Sequence, residues 1–172
     1  MTHHHTQENS RRPLYTPEER RRRDESPWTL VQGILAPLQF LVFLISLYLV
    51  LRYLATGEGY LAATVSVIVK TLVLYTIMIT GSIWEKVVFG KYLFAESFFW
   101  EDVFSMLVLA LHTAYLVAIF TLDSQAQMFI ALAAYSTYVI NAAQFLIKLR
   151  AARLEGARSK TATGSTLAEV AE

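Results

Sequence analysis

The sequence predicts an all-α fold: an integral membrane bundle of four antiparallel helices, with a short N-terminal surface helix and a disordered C-terminal tail. Three observations predict it. Hydrophobic residues make up 55% of the 172-residue chain and charged residues 17%, against about 25% charged in a typical soluble protein. Four apolar runs, about 27–51, 60–84, 103–120 and 124–147, match the ~20 helical residues that cross a ~30 Å hydrocarbon core. Too little polar chain remains to cover four such runs in water, and in lipid a helix satisfies its own backbone hydrogen bonds.

Residues 1–13 read as a disordered N-terminus, and "THHHT" within them is too short and too terminal to carry a metal site. Residues 14–25 read as a surface helix. Thr16 is a suitable N-cap, Pro17 opens the helix, and Glu19 completes a capping box. Glu18 with Arg22 and Glu19 with Arg23 have the favourable i,i+4 order. The four consecutive arginines, Arg20 to Arg23, lie among acids beside a membrane span, so they suit lipid headgroups better than nucleic acid. A net charge of +1 points the same way.

Ser26 caps the first span and Pro27 opens it. Ser26 to Leu51 carries no charge, the second run holds one, Lys70, and the third holds His112. The four-helix domain is placed at 26–154, with its helices joined by short connections that force antiparallel neighbours. No internal repeat is visible. The tail, 155–172, is polar and without aromatic residues, which predicts disorder. The chain has no cysteine, so disulfides, thiolate metal ligands and a cysteine nucleophile are excluded.

Lysine and arginine set the orientation. The N-terminal segment holds Arg11, Arg12 and Arg20 to Arg23; the tail holds Lys148, Arg150, Arg153, Arg158 and Lys160. The middle loop holds Lys86 and Lys91, and the other two loops share only Arg52. Both termini and the middle loop are therefore expected in the cytoplasm, with the protein multi-pass.

Each span shows a polar or aromatic stripe at helical spacing. Gln32, Gln39 and Ser46 form the first. Ser66, Lys70, Gly81 and Glu85 form the second, interrupted by Ile77. Glu101, Ser105, Val108, His112 and Tyr115 form the third, and Tyr135, Tyr138, Asn141 and Ala142 the fourth. Such stripes can simply join helices through interhelical hydrogen bonds. They would equally line a pocket for a large, mostly apolar ligand with a few polar handles. Lys70 and His112 fall near the midplane, where ionisable side chains face the bundle interior. Paired to a carbonyl or to a neighbouring helix they are structural; facing a ligand they are binding residues, with His112 a candidate imidazole ligand to a metal.

The stretch "AESFFWEDVF", residues 95–104, places Glu96, Glu101 and Asp102 around Phe98, Phe99 and Trp100. The rings suit a headgroup belt, but the acids do not. Glu101 and Asp102 suit a helix N-terminus. With Glu85 they also form one acidic mouth, and aromatic neighbours that exclude water are the setting in which a carboxylic acid serves as a general acid.

Four segments, "LYTPEERRRRDESPWTLVQGILAPLQF", "GSIWEKVVFGKYLF", "FFWEDVFSMLVLALHTAYL" and "YVINAAQFLIKLRAARL", resemble the vinyl bacteriochlorophyllide hydratases of photosynthetic bacteria. The resemblance runs from Leu14 to Leu154. It implies an enzyme of bacteriochlorophyll biosynthesis that needs no cofactor and adds water across the C3-vinyl group of a Mg-bearing tetrapyrrole. It brings no catalytic residue list with it.

From the residues themselves, Glu85 and Glu101 are the expected acid and water-orienting pair, supported by Asp102. His112, Lys70, Trp100, Tyr115, Tyr138, Asn141 and Gln39 are expected to bind the substrate, with His112 toward its Mg. The bilayer is the second expected partner; other pigment-biosynthesis enzymes or a second copy of the chain are further candidates. Two rival readings stand beside the hydratase: a non-catalytic pigment-binding protein using His112 as Mg ligand, and a small transporter with Lys70 in its path. A pigment holder has no use for the carboxylates, and a transporter usually shows internal symmetry.

Overall fold

A computed structural model describes residues 14–170, with side chains described to Leu154. The described residues form five helices: α1 (Pro17–Glu25), α2 (Pro27–Thr56), α3 (Tyr60–Phe89), α4 (Phe99–Thr121) and α5 (Ser124–Val170). The predicted disordered N-terminus, 1–13, lies outside them. The backbone of α5 continues as helix past Leu154. Extending an existing helix adds one hydrogen bond per residue fixed and needs no new nucleus.

Four helices are long and apolar enough to cross a bilayer: Pro27–Thr56, Tyr60–Phe89, Phe99–Thr121 and Ser124–Leu154. Each exceeds the run expected from hydropathy, because a span's helical hydrogen bonding continues through the polar residues at its ends. Large apolar side chains such as Leu41, Ile45, Leu72, Phe120 and Leu146 face outward, a surface that suits lipid rather than water.

The cross-helix hydrogen bonds show how the spans run. Gln32 Nε2 donates to Thr80 Oγ1 at 2.8 Å, and Ser46 Oγ meets Ser66 Oγ at 2.7 Å. Rising numbers on α2 thus face falling numbers on α3. The same reversal relates α4 to α5, where Asn141 Nδ2 donates to Ser105 Oγ at 2.9 Å and Lys148 Nζ to Glu101 Oε2 at 2.6 Å. The two hairpins, α2–α3 and α4–α5, are each closely packed, whereas α3 meets α4 and α2 meets α5 along much less of their length. The core lies between the hairpins and includes Phe43, Val67, Leu74, Val108, Tyr115 and Tyr135.

The capping signals read from the sequence are present. Thr16 N donates to Glu19 Oε2 at 2.8 Å, and Glu19 N to Thr16 Oγ1 at 3.3 Å. Glu18 pairs with Arg22 at 3.7 Å and more closely with Arg21 at 3.0 Å. The expected Glu19–Arg23 pair gives way to other contacts. The Glu19 carboxylate is committed to the cap, while Arg23 pairs with Asp24 at 2.6 Å and lies 4.7 Å above the Tyr15 ring. Ser26 Oγ accepts from Trp28 N at 3.3 Å and caps α2. Pro37 sits inside α2 without ending it; the residue four back, whose carbonyl its ring crowds, is Gly33, with nothing near its missing Cβ.

Tyr15 fastens the chain before α1 to the bundle. It is buried, stacks on Phe89 at 5.7 Å and tilts against Phe98 at 6.3 Å. Ser97 Oγ also donates to Leu14 O at 3.0 Å. The segment between α3 and α4, residues 90–98, is thereby held between α1 and the bundle end.

Candidate functional site

Glu85 near the end of α3 and Asp102 in the first turn of α4 are brought together, though seventeen residues apart in sequence. Their carboxyls face each other and are nearly buried, at 4% and 6% exposure. The turn between the helices supplies two backbone donors. Phe94 N donates to Asp102 Oδ2 at 2.7 Å, and Ala95 N faces Glu85. Among the described residues neither Glu85 oxygen has a hydrogen bond of ordinary geometry, so its contacts with Asp102 and Ala95 are electrostatic ones at longer range.

Phe94 has φ +59°, a left-handed conformation that a bulky L-residue rarely adopts. Local strain held by the surrounding structure is common where a turn presents functional groups. The anchors are the Asp102 hydrogen bond and the ring contact with Phe99 at 5.8 Å.

Glu101 belongs to the same end but is differently employed. Lys148 Nζ of α5 reaches its Oε2 at 2.6 Å, and the two side chains are 25% and 10% exposed. Lys148 also lies 4.9 Å from the centre of the Phe98 ring. The sequence reading counted Lys148 only as a cytoplasmic charge. Nothing in local spacing links it to Glu101, forty-seven residues earlier; only the antiparallel pairing of α4 and α5 does.

A second polar layer lies deeper in the bundle. Lys70 and His112 are both fully buried. Lys70 Nζ sits 3.5 Å from the centre of the Tyr138 ring and 5.9 Å from that of Phe43. It has no hydrogen-bond acceptor among the described residues. His112 Nδ1 bonds Val108 O at 2.8 Å, which fixes the ring, while Nε2 has no partner. With a carbonyl on Nδ1, that nitrogen carries the hydrogen and Nε2 presents a lone pair. Lys70 is near enough to the imidazole for their charges to interact. Gln39, one heptad from Ser46 on α2, is 2% exposed, and neither end of its amide is hydrogen-bonded. Buried polar groups are ordinarily paired, and this layer leaves several free.

Asn141 lies between the two layers. Its Nδ2 donates to Ser105, and its Oδ1 is free. Tyr115 is deeper still, beside Thr64, and neither hydroxyl makes a hydrogen bond of ordinary geometry. It stands one turn beyond His112, at the far side of the layer from the carboxyls. Trp100 goes elsewhere: it is 68% exposed and packs edge-on against Phe99 at 5.6 Å. It faces the surroundings of the bundle, and Phe98 takes the inward position, 2% exposed, against Trp84, Phe89 and Phe145. A helix places neighbouring residues about 100° apart, so at a helix start the sequence alone does not say which of three consecutive aromatics turns inward.

The predicted site residues thus fall into two groups on one column: Glu85, Glu101 and Asp102 at the bundle end beside α1, and Gln39, Lys70, His112 and Tyr138 at mid-depth. A family model described as 2-vinyl bacteriochlorophyllide hydratase matches residues 15–151. The 2-vinyl bacteriochlorophyllide hydratase of Rhodobacter capsulatus is 70% identical over 155 residues, which cover 90% of this chain and 91% of that protein. The protein of the same name from Cereibacter sphaeroides is 73% identical over 145 residues, covering 84% and 91%. No solved structure matches the chain. The match spans α1 and all four membrane-length helices, with the carboxyl end and the mid-depth layer inside it, and the chain belongs to the 2-vinyl bacteriochlorophyllide hydratase family.

Proposed function

We propose that the Glu85–Asp102 pair is the acid–base centre of this hydratase. The enzyme adds water to the vinyl group of a bacteriochlorophyllide, forming the 1-hydroxyethyl group. The observation that carries the site assignment is two nearly buried carboxyls facing each other beside the backbone amides of Phe94 and Ala95. Vinyl hydration needs one group that gives a proton and one that takes a proton. Two neighbouring carboxyls, one holding a proton and one not, provide both.

Glu85 is the proton donor. A side chain leans toward the N-terminus of its own helix. On α3 that direction runs into the bundle; on α4 it runs out of it. Glu85 is therefore aimed at a ligand in the interior, and Glu101, held by Lys148, is aimed at the opening. The Glu85 proton goes to the terminal vinyl carbon, which becomes a methyl group. The positive charge left on the inner carbon is delocalised into the macrocycle. Water attacks that carbon and gives up its proton to the carboxyl pair, which restores the acid. Atoms and charge balance without any electron transfer, so the step calls for neither a redox cofactor nor a metal of the protein's own.

The substrate is flat, largely apolar and soluble in lipid, which fits a site inside a bundle of membrane-spanning helices. The proposed location is the inner, intracytoplasmic membrane of a bacterium, and the arginine and lysine distribution supports both termini and the carboxyl end being cytoplasmic. Purified protein mixed with vinyl bacteriochlorophyllide should yield a product heavier by one water. In heavy water one deuterium should enter the new methyl group. Deuterium on the carbinol carbon, or product lacking the added water, would overturn the mechanism.

A further inference from the structure

The mid-depth layer is not needed for proton transfer, yet it contains buried polar atoms without partners: Lys70 Nζ, His112 Nε2 and both amide atoms of Gln39. They are fully or almost fully buried, so water does not serve them from outside. Two lengths and one matter of chemistry point to what would.

The first is length. Glu85 and Lys70 are fifteen residues apart on α3, ~22 Å along the axis, and Asp102 and His112 are ten apart on α4, ~15 Å. In a tetrapyrrole of this class, the carbon bearing the vinyl group lies diametrically opposite the carbon bearing the ketone of the fifth ring. The diagonal from the vinyl tip to that ketone oxygen is as long as about nine residues of helix, ~13 Å. A hydrogen bond of ~2.9 Å at the ketone and a reactive contact of ~3.2 Å at the vinyl extend it to ~19 Å. That is ~3 Å short of the Glu85–Lys70 separation; Glu85 leans into the bundle, and Lys70, leaning the same way along α3, must extend sideways across the seam to meet the ketone.

The second is the centre. With the vinyl tip at Glu85, the middle of the ring falls ~10 Å beyond the carboxyl, or ~13 Å below the Glu85 Cα once its lean is counted. His112 is ~15 Å below Asp102, and its side chain leans back toward the Asp102 end of α4. Its free Nε2 then stands at the ring centre, where the substrate's Mg accepts an axial nitrogen. The third is chemistry. Lys70 has hydrogens and no acceptor, whereas a ring ketone is an acceptor with no hydrogen.

We infer that Lys70 is the specificity residue for the fifth-ring ketone, and that the substrate stands edge-on along the α3–α4 seam with vinyl at Glu85, Mg at His112 and ketone at Lys70. This deepens the hydratase reading and rests on it. The α3–α4 seam is one of the two along which the hairpins touch little; a hydrogen bond between Tyr75 and Thr113 crosses it at 2.7 Å on its exposed face, and the Tyr138 ring lies beside Lys70 on the α5 side. Lys70 acts on binding and register and not on the reacting carbons.

The test compares the vinyl Mg-chlorophyllide with its counterpart in which the fifth-ring carbonyl is replaced by CH2. Wild-type protein should bind the ketone form about tenfold more tightly, the scale of one buried hydrogen bond. Lys70→Met should bring the ratio to about one. Resonance Raman should place the ketone stretch lower in the wild-type complex than in detergent, and return it to the detergent value in the variant. A wild-type ratio of one, an unshifted stretch in wild type, or the same ratio in Lys70→Met each overturns the assignment. The wild-type measurements decide the matter even if the variant does not fold. Water addition by the wild-type protein is scored separately, so loss of the ketone preference and loss of the hydratase reading are distinguishable.

Discussion

Replacing Glu85 by Gln keeps the side chain's size and removes the proton it would transfer. The side chain is 4% exposed and its oxygens have no hydrogen-bond partner among the described residues, so the amide enters the same space without breaking a bond seen there. General acid catalysis typically contributes about 10²–10⁴-fold, or ~2.7–5.4 kcal/mol of barrier at ~1.36 kcal/mol per decade. Turnover should fall by at least about a hundredfold with little change in substrate affinity, because the interaction forms only in the transition state. Asp102→Asn should cost less. Its side-chain oxygen still accepts from Phe94 N, so the turn is kept, while proton exchange with Glu85 is impaired. Glu101→Gln is the informative contrast. It weakens the 2.6 Å pair with Lys148 but leaves the Glu85–Asp102 pair intact, and should lower turnover by less than about tenfold, below the usual range for an acid–base role. Single-turnover mixing of each variant with vinyl substrate, read by mass and absorption, measures the chemical step directly. Glu101→Gln falling as far as Glu85→Gln, or Glu85→Gln turning over at a near-normal rate while folded, refutes the division of roles.

Reporter fusions after Glu58 and after Asp123 should report the periplasm; a cytoplasmic signal at either reverses the proposed orientation. His112→Phe should weaken binding of the Mg substrate far more than binding of its Mg-free form, whereas an equal loss for both would make the residue a packing element. The Glu18 carboxyl is held below its ordinary 4.5 by a hydrogen bond and charge attraction from Arg21, with Arg22 adding to it. Its folded value is the lower one, so the contribution to α1 is complete above about pH 4.5 and fades as pH falls through the folded value. The protection factors of amides 17–25, that is exchange corrected for its slower intrinsic rate in acid, should fall on acidification, and Glu18→Gln should flatten that response.

Much of this protein was legible in one dimension. Spans came from hydrophobic length, because lipid gives a backbone no other partner. The Thr16–Glu19 box and the Ser26 cap came from short-range chemistry that needs only neighbours in sequence. The stripes on the third and fourth helices are buried as their spacing implies, since a straight helix converts spacing into direction: Glu101, Ser105, Val108, His112 and Tyr115 all face inward. Which stripe meets which is a property of the packing of helices. It paired Lys148 with Glu101, set Glu85 against Asp102, and turned Phe98 in and Trp100 out. It also placed Lys70 under Tyr138, with no acceptor in reach. Those decisions rest on helix direction and on contacts made across tens of residues, and no local pattern encodes either.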